Sequence, residues 1–273
     1  MKKILFAILT VSIAFLASCN KKNEPENSDT PQNDETFGTV NDICGNTYKY
    51  MKIGEQYWMA ENMRCNKYDT QSERKGAELS TSSSETYAPY YTNASDKSKW
   101  NIEYVISENL SDEQISKLGY LYSWAAAVGL ATAEAAEAQT SSFSSNRQGI
   151  CPNGWRVPTN SEWDALGTAL GGKKGDDYFP NVGNKLKTTS GWYMNGNGTD
   201  EYYFAALPAG FASFEYGSGA SGVGGYANFW TATPGSYSSS YNAYAYEVFF
   251  NGGNLSNHVI TKKDGYSVRC IKD

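Results

Sequence analysis

Gly149-Ile-Cys-Pro-Asn-Gly-Trp-Arg-Val-Pro-Thr-Asn-Ser-Glu-Trp-Asp-Ala-Leu166 is the stretch from which the fold of this chain is read. Pro152-Asn-Gly154 is a turn. Val157 is held extended because it precedes Pro158. Thr159 and Glu162 make a Thr-x-x-Glu capping box, in which two side chains take up orphan N–H groups at a helix start. Trp163, Leu166 and Leu170 follow at helical spacing, and Gly171-Gly172 stops the helix. The segment thus joins a cysteine to a capped amphipathic helix. The last strand signal, Tyr266-Ser-Val-Arg-Cys-Ile271, carries the cysteine expected to meet Cys151 and close a domain.

Toward the C-terminus the chain is rich in Gly, Asn, Ser and Tyr. Trp192-Tyr193, Tyr202 to Leu207, Phe229 to Ala232, Ala243 to Phe250, Leu255 to Thr261 and Tyr266 to Ile271 read as short strands. Asn251-Gly-Gly-Asn254 and Lys263-Asp-Gly265 supply hairpin turns, so an antiparallel meander is expected. Gly217 to Gly225 reads as a flexible loop. It is not a phosphate loop, because no Lys-Ser/Thr follows at that spacing. Toward the N-terminus, Ala131 to Gln139 is rich in helix formers, and Tyr120 to Ala127 fits a strand or a helix equally. Ser111 and Gln114 cap a short helix that Gly119 ends. Tyr68 to Trp100 is a polar excursion. Phe37 to Met63 alternates β-prone runs with turns at Gly45-Asn46 and Gly54-Glu55. The class is α+β, with one domain over residues 37–273.

Residues 1–18 read as a leader. Lys2 and Lys3 precede the apolar run Ile4 to Leu16, which is short for a bilayer span. Leu16-Ala-Ser-Cys19 resembles a bacterial lipobox, which implies cleavage before Cys19, lipidation of its thiol and acylation of its amine. Several chains would anchor stably at about 0.8 kcal/mol per buried methylene. Asn20 offers no aspartate-type inner-membrane retention signal, so the outer membrane is the expected location. Residues 19–36 hold a polar run, Asn20 to Thr36, without aliphatic or aromatic side chains and read as a solvated tether.

The formal charge of −6 becomes −8 once Lys2 and Lys3 leave with the leader. An acidic chain excludes a nucleic-acid partner of the ordinary basic-faced kind. Cys44, Cys65, Cys151 and Cys270 remain, in a compartment that permits disulfides, and four cysteines allow three pairings. The reading favours Cys44–Cys65, a local loop, and Cys151–Cys270, which ties the middle of the chain to its end. Four reduced thiols are the alternative. Zinc is disfavoured, since no Cys-x-x-Cys occurs and His258 is the single histidine.

Asp42-Ile-Cys-Gly-Asn-Thr-Tyr48, Ile53-Gly-Glu-Gln-Tyr-Trp-Met-Ala-Glu-Asn62, Tyr122-Ser-Trp-Ala125, Gly149 to Thr159, Leu207-Pro-Ala-Gly210, Phe229-Trp-Thr-Ala-Thr233 and Gly265-Tyr-Ser-Val-Arg-Cys270 together resemble the Fibrobacter succinogenes major paralogous domain family. The resemblance runs in order from about Phe37 to Asp273. It implies an extracytoplasmic module of uncharacterised activity, frequent in surface lipoproteins of Bacteroidetes-type bacteria. It also implies a C-type-lectin-like fold: small twisted antiparallel sheets, about two helices and a disulfide to the last strand, which Cys151 and Cys270 match. The family often lacks cysteine where this chain has Cys44 and Cys65, which fits an extra disulfide.

Lectins of that fold bind sugars through calcium and motifs such as Glu-Pro-Asn. No such motif occurs here, and Phe229-Trp-Thr-Ala-Thr233 lacks the oxygen ligands that calcium needs. No metal or cofactor is expected. An enzyme akin to formylglycine-generating enzymes is the alternative function, though no cysteine matches a motif of theirs. His258 reads as a surface or packing residue. Asp200 and Glu201 are adjacent and would face opposite sides of a strand. The expected function is non-catalytic recognition or adhesion, with a glycan or a protein as ligand. Tyrosine is abundant at 21 residues. Tyr237, Tyr241, Tyr244 and Tyr246 crowd beside the Gly-rich loop and form the candidate ligand surface, because tyrosine couples a large apolar face to a polar tip. Trp58, Trp155, Trp163 and Trp230 are assigned to the core.

Overall fold

The computed structural model describes residues 36–82, 104–106, 111–130, 143–213, 220–235 and 241–273. The leader, Cys19, residues 20–35, Ala131 to Gln139 and Tyr237 lie outside them. In chain order the strands are β1 (Phe37–Asn41), β2 (Thr47–Ile53), β3 (Gln56–Met59), β4 (Ser80–Ser82), β5 (Tyr104–Ile106), β6 (Leu121–Tyr122), β7 (Trp155–Arg156), β8 (Tyr178–Phe179), β9 (Phe211–Ala212), β10 (Ala220–Ser221), β11 (Tyr226–Pro234), β12 (Asn242–Phe249), β13 (Leu255–Thr261) and β14 (Ile271–Lys272). The helices are α1 (Asp112–Leu118), α2 (Trp124–Val128), α3 (Asn160–Ala169) and α4 (Val182–Leu186).

Four small sheets result, all antiparallel except for the β4–β5 pair. The first has the order β1-β2-β3-β14-β7, which places the chain end between β3 and β7. The second, β11-β12-β13-β8, is the meander expected from the C-terminal third. Three-stranded β4-β5-β6 and the β9–β10 pair complete the set. The architecture is α+β, with short helices set against small sheets.

The core falls into two clusters, and β11 and β12 belong to both because successive side chains on a strand face opposite ways. Ala227 and Phe229 of β11, with Tyr246 and Val248 of β12, pack with Trp58, Trp163 and Leu166. Trp230 and Ala232 of β11, with Ala243 and Ala245 of β12, pack with Trp124 of α2, Cys151 and Cys270. The indole N–H of Trp230 donates to the Tyr122 carbonyl at 2.6 Å, and that of Trp124 to the Thr231 carbonyl at 2.8 Å. Trp58, Trp155, Trp163 and Trp230 are all core residues, as the sequence suggested.

Both favoured disulfides form. Cys44–Cys65 has a Cα–Cα distance of 5.6 Å and Cys151–Cys270 one of 5.9 Å, closing loops of 21 and 119 residues. The capping boxes also form. Thr159 accepts from the Glu162 N–H while Glu162 accepts from the Thr159 N–H at 2.7 Å. Ser111 and Gln114 do the same at the start of α1. The ambiguous Tyr120 to Ala127 run divides: Leu121–Tyr122 is a strand, and Ser123 then caps α2.

Three strand expectations differ from the structure. Trp192-Tyr193 leads into a 3-10 turn at Tyr193–Asn195, and Tyr202 to Leu207 forms no strand. Met194, Asn195, Asp200, Tyr203 and Ala205 all have positive φ, between 47° and 60°, which a pleated strand cannot contain. Of Tyr266 to Ile271, only the end lies in a strand, although Tyr266 exchanges backbone hydrogen bonds with Tyr122.

Arg269 is fully buried and holds this region together. Its guanidinium donates to Asn62 Oδ1 at 2.6 Å, to the Met59 carbonyl at 3.1 Å, to the Ala205 carbonyl at 2.7 Å and to the Phe204 carbonyl.

Candidate functional site

Of the tyrosines singled out from sequence, Tyr237 lies outside the described residues and the other three are not alike in exposure. Tyr241 and Tyr244 are half-buried. Tyr246 departs from the expectation: it is fully buried, stacks on Trp163 at 5.1 Å and donates to Asp164 Oδ1 at 2.5 Å. The alternation of β12 explains this, because Tyr244 and Tyr246 point to the side covered by α3.

The opposite side of the same strands carries a different constellation. The register sets Tyr226 against Phe249, Asn228 against Glu247, and Trp230 against Ala245. It then sets Glu247 against Ser256 and Ala245 against His258. Residues directly opposite share a face, so three rungs follow one another. The first is aromatic, with the Tyr226 and Phe249 rings 4.6 Å apart and Phe211 edge-on to Tyr226 at 5.3 Å. The second is the polar row Asn228, Glu247 and Ser256. The third runs from Trp230 to His258, and Tyr266 lies over it, stacked on Trp230 at 4.6 Å and edge-on to His258 at 6.0 Å.

These polar groups are poorly satisfied. Asn228 is 1% exposed and Tyr266 5%, while Glu247, Ser256 and His258 are half-buried. None of the five side chains has a hydrogen bond or ion pair among the described residues. Asn228 Oδ1 is both buried and without a partner. A buried amide oxygen left unpaired costs about 1–3 kcal/mol, so such groups call for an explanation.

Burial dominates the electrostatics. It raises the Glu247 carboxyl above its usual range and lowers the His258 imidazole to about 4. The Tyr266 phenol is raised by burial and then by the nearby Asp264 and Glu247 charges. Near neutral pH His258 is therefore a neutral imidazole with one donor and one acceptor, beside the Ser256 hydroxyl and the Glu247 carboxyl group, while Asn228 and Tyr266 lie beneath the surface. The row's half-buried members, Glu247, Ser256 and His258, can bind a ligand by complementary hydrogen bonds.

The family model of the Fibrobacter succinogenes major domain matches residues 51–272. The chain belongs to that family. The matched part of this Fibrobacter succinogenes major domain contains the polar row, Arg269 and the Cys151–Cys270 bridge, while Cys44 lies before it. No curated protein and no solved structure matches the domain.

Two other constellations in the domain are occupied by its own chemistry. Asp42, Cys44 and Cys65 bring potential metal donors within 4.8 Å of one another. The two sulfurs are bonded to each other, and Asp42 accepts from the Tyr48 hydroxyl at 2.6 Å and the Asn46 amide at 2.9 Å. A polar cleft of about 460 Å³ opens between Asn146, Gln148, Arg156, Thr159, Glu162 and Asp273. Arg156 is clamped there by Glu162 and lies 3.2 Å from the Asp273 carboxylate. Burial pushes the Glu162 carboxyl up, but the Arg156 guanidinium and the Thr159 N–H outweigh it and hold it below its usual range.

The sequence put His258 in a strand as a surface or packing residue, and it lies half-buried in β13, but it was given no companions. Asn228, Glu247, Ser256 and Tyr266 were passed over. The signal was the alternation of β11 and β12, which becomes a row only when the register is known.

Proposed function

We propose that the protein is a lipoprotein anchored through Cys19 in the outer membrane, whose domain has a C-type-lectin-like fold and recognises a glycan or protein without catalysis. The face formed by β11, β12 and β13 is the recognition surface. The observation that carries this reading is the row of half-buried polar side chains Glu247, Ser256 and His258 on neighbouring strands, bordered by the half-buried Tyr226–Phe249 pair. Half-buried polar groups flanked by aromatic rings suit a surface that a ligand completes.

The support for the fold is the mixed architecture of small sheets with a bridge from Cys151 to the last strand region. Recognition without calcium is expected, because the row supplies one carboxylate where calcium takes 6–8 oxygens. The alternative of a formylglycine-generating type of enzyme has no observation in its favour: Cys44, Cys65, Cys151 and Cys270 are all in disulfides.

The test is a glycan and protein-partner array probed with the purified protein, with and without calcium. The expected result is a calcium-independent hit that Glu247→Gln weakens while Tyr241→Ala leaves it intact. A hit that needs calcium and survives Glu247→Gln would place recognition elsewhere.

A further inference from the structure

We infer that the turn at Tyr193–Asn195 is a membrane-docking tip, which seats Tyr193, Met194 and Phe250 in the headgroup region of the bilayer that holds the protein's lipid anchor. This rests on the reading of the chain as a lipoprotein.

The tip exposes what a folded chain ordinarily hides. Met194 is 87% exposed and Tyr193 57%. Phe250, half-buried, lies edge-on to Tyr193 at 6.4 Å, and Phe249 packs on Phe250 at 4.5 Å. The patch is therefore continuous rather than scattered, and continuous exposed apolar patches mark interaction sites. Its backbone is fixed. The Tyr193 N–H donates to the Gly224 carbonyl and the Gly196 N–H to the Tyr193 carbonyl, each at 2.8 Å. The Trp192 N–H donates to Asn197 Oδ1 at 3.1 Å. The Tyr193 ring rests on Gly224, where an added Cβ would come within 2.4 Å of it. The Gly-rich loop thus serves as the seat of the tip. Met194 takes φ 49° and Asn195 φ 60°, a conformation that a bulky side chain rarely adopts. Such outliers persist where the surrounding structure enforces them, and they gather at functional sites.

Charge and area select a bilayer. Residues 188–199, 220–230 and 248–257, which build the tip and its seat, contain no Asp, Glu, Lys or Arg, in a chain of which 19% is charged. An ionic partner has nothing there to pair with. Four side chains, two of them half-buried, fall short of the about 800 Å² per partner that a specific protein interface buries. A bilayer asks for less, because the anchor already holds the domain beside it and the tether makes the second contact intramolecular. The tether also arrives on the loop that continues from the tip: Phe37, at the start of β1, packs edge-on to Tyr203 at 5.5 Å, and both are exposed. Tyrosine, with an apolar ring and a polar end, suits the membrane–water boundary, and the exposed amides of Asn195 and Asn197 suit neutral headgroups. The nearest exposed carboxylate in the sequence, Glu201, favours zwitterionic over anionic lipid.

The experiment reconstitutes the full-length, acylated protein in phosphatidylcholine vesicles. Met194→Cys carries an environment-sensitive fluorophore, and the lipids are brominated at shallow or deep acyl positions. The expected result is a blue-shifted emission that shallow bromines quench more than deep ones. The same label on Glu55→Cys, in the exposed β2–β3 turn, should stay unquenched. In the protein labelled at Met194→Cys, Tyr193→Ser should cut the quenching at least threefold, and Tyr193→Phe should keep most of it. An unquenched Met194→Cys label in vesicle-bound protein overturns the inference and leaves the anchor standing. Equal quenching of the two labels overturns it too, since the domain would then lie on the membrane without a preferred face. Intact mass reports the anchor separately. If the mass shows no acyl chains, the anchoring reading fails, and the Met194→Cys label is read against vesicles at high lipid concentration: shallow quenching keeps the tip, and none overturns it.

Discussion

Arg269 donates to four oxygen atoms from two separate segments, which makes it a junction of the domain. Burial lowers its guanidinium to about 9, against the opposing pull of Glu61 and Asp200. The group still carries its charge at neutral pH, while Phe204 and Phe229 lie 4.6 Å and 5.5 Å from it. Removing it orphans Asn62 Oδ1 and the carbonyls of Met59, Phe204 and Ala205 together. Arg269→Ala is therefore expected to cost about 3–5 kcal/mol, read as a lower urea midpoint, and Arg269→Lys to recover only part because it lacks the planar fork. His258 acts through protons instead. Its imidazole is lowered from 6.5 to about 4, so between those values the unfolded chain binds a proton that the folded chain refuses. The stability it supports is whole above the unfolded value and falls as pH drops toward the folded one. At about pH 5 the loss is up to roughly 2 kcal/mol. Glu247, raised by burial, works in the opposite direction over acid pH. Urea midpoints at neutral and mildly acidic pH check this: His258→Gln should flatten the difference, and an unchanged slope would count against the buried neutral histidine. Nothing in the local sequence marks Glu247 as special. Its environment comes from residues on two other strands, which one chain segment cannot reveal.

At the scale of elements, the parts with local causes were legible and the parts held by distant contacts were not. The α3 helix was readable because its start is self-contained: Thr159 and Glu162 satisfy each other, and Glu162 also clamps Arg156. Thr159→Ala should cost about 1 kcal/mol through the lost cap. Thr159→Ser should retain most of it, and thermal melts of the two variants separate a cap from a mere packing effect. The segment from Trp192 to Leu207 shows the converse. Its aromatic residues have high strand propensity, yet the backbone turns repeatedly through positive φ. The turns are fixed from outside, by Arg269 on the carbonyls of Phe204 and Ala205 and by Asp200 Oδ1 on the Ala205 N–H at 2.8 Å. Propensity is a weak prior against such constraints. The candidate site failed to show for a related reason. A row of side chains on three strands depends on register, whereas the tyrosines were grouped by nearness in sequence, which does not reveal that the shared face of Tyr244 and Tyr246 is the one α3 covers.

The whole molecule is closed by contacts that join residues far apart in sequence, and its two disulfides are not equivalent in this respect. Cys44–Cys65 closes a 21-residue loop that carries β2 and β3, with Cys44 just before the family-matched region and Cys65 inside it. Cys151–Cys270 closes 119 residues, and both of its cysteines sit in the cluster that also holds Trp124 and Trp230. In the chain-entropy account the shorter loop is worth about 3 kcal/mol and the longer about 5 kcal/mol. Paired substitutions avoid leaving a lone thiol. Cys44→Ala with Cys65→Ala should lower the melting temperature yet keep a cooperative transition and the near-ultraviolet signal of the buried tryptophans. Cys151→Ala with Cys270→Ala should lose more, because it also opens two small cavities inside the core, each with its own cost. If the two pairs cost the same, loop length and core position would not govern the stability of this fold. If the Cys44 and Cys65 pair proved the more damaging, the hold of that bridge on β2 and β3 would outweigh the longer loop that Cys151–Cys270 closes.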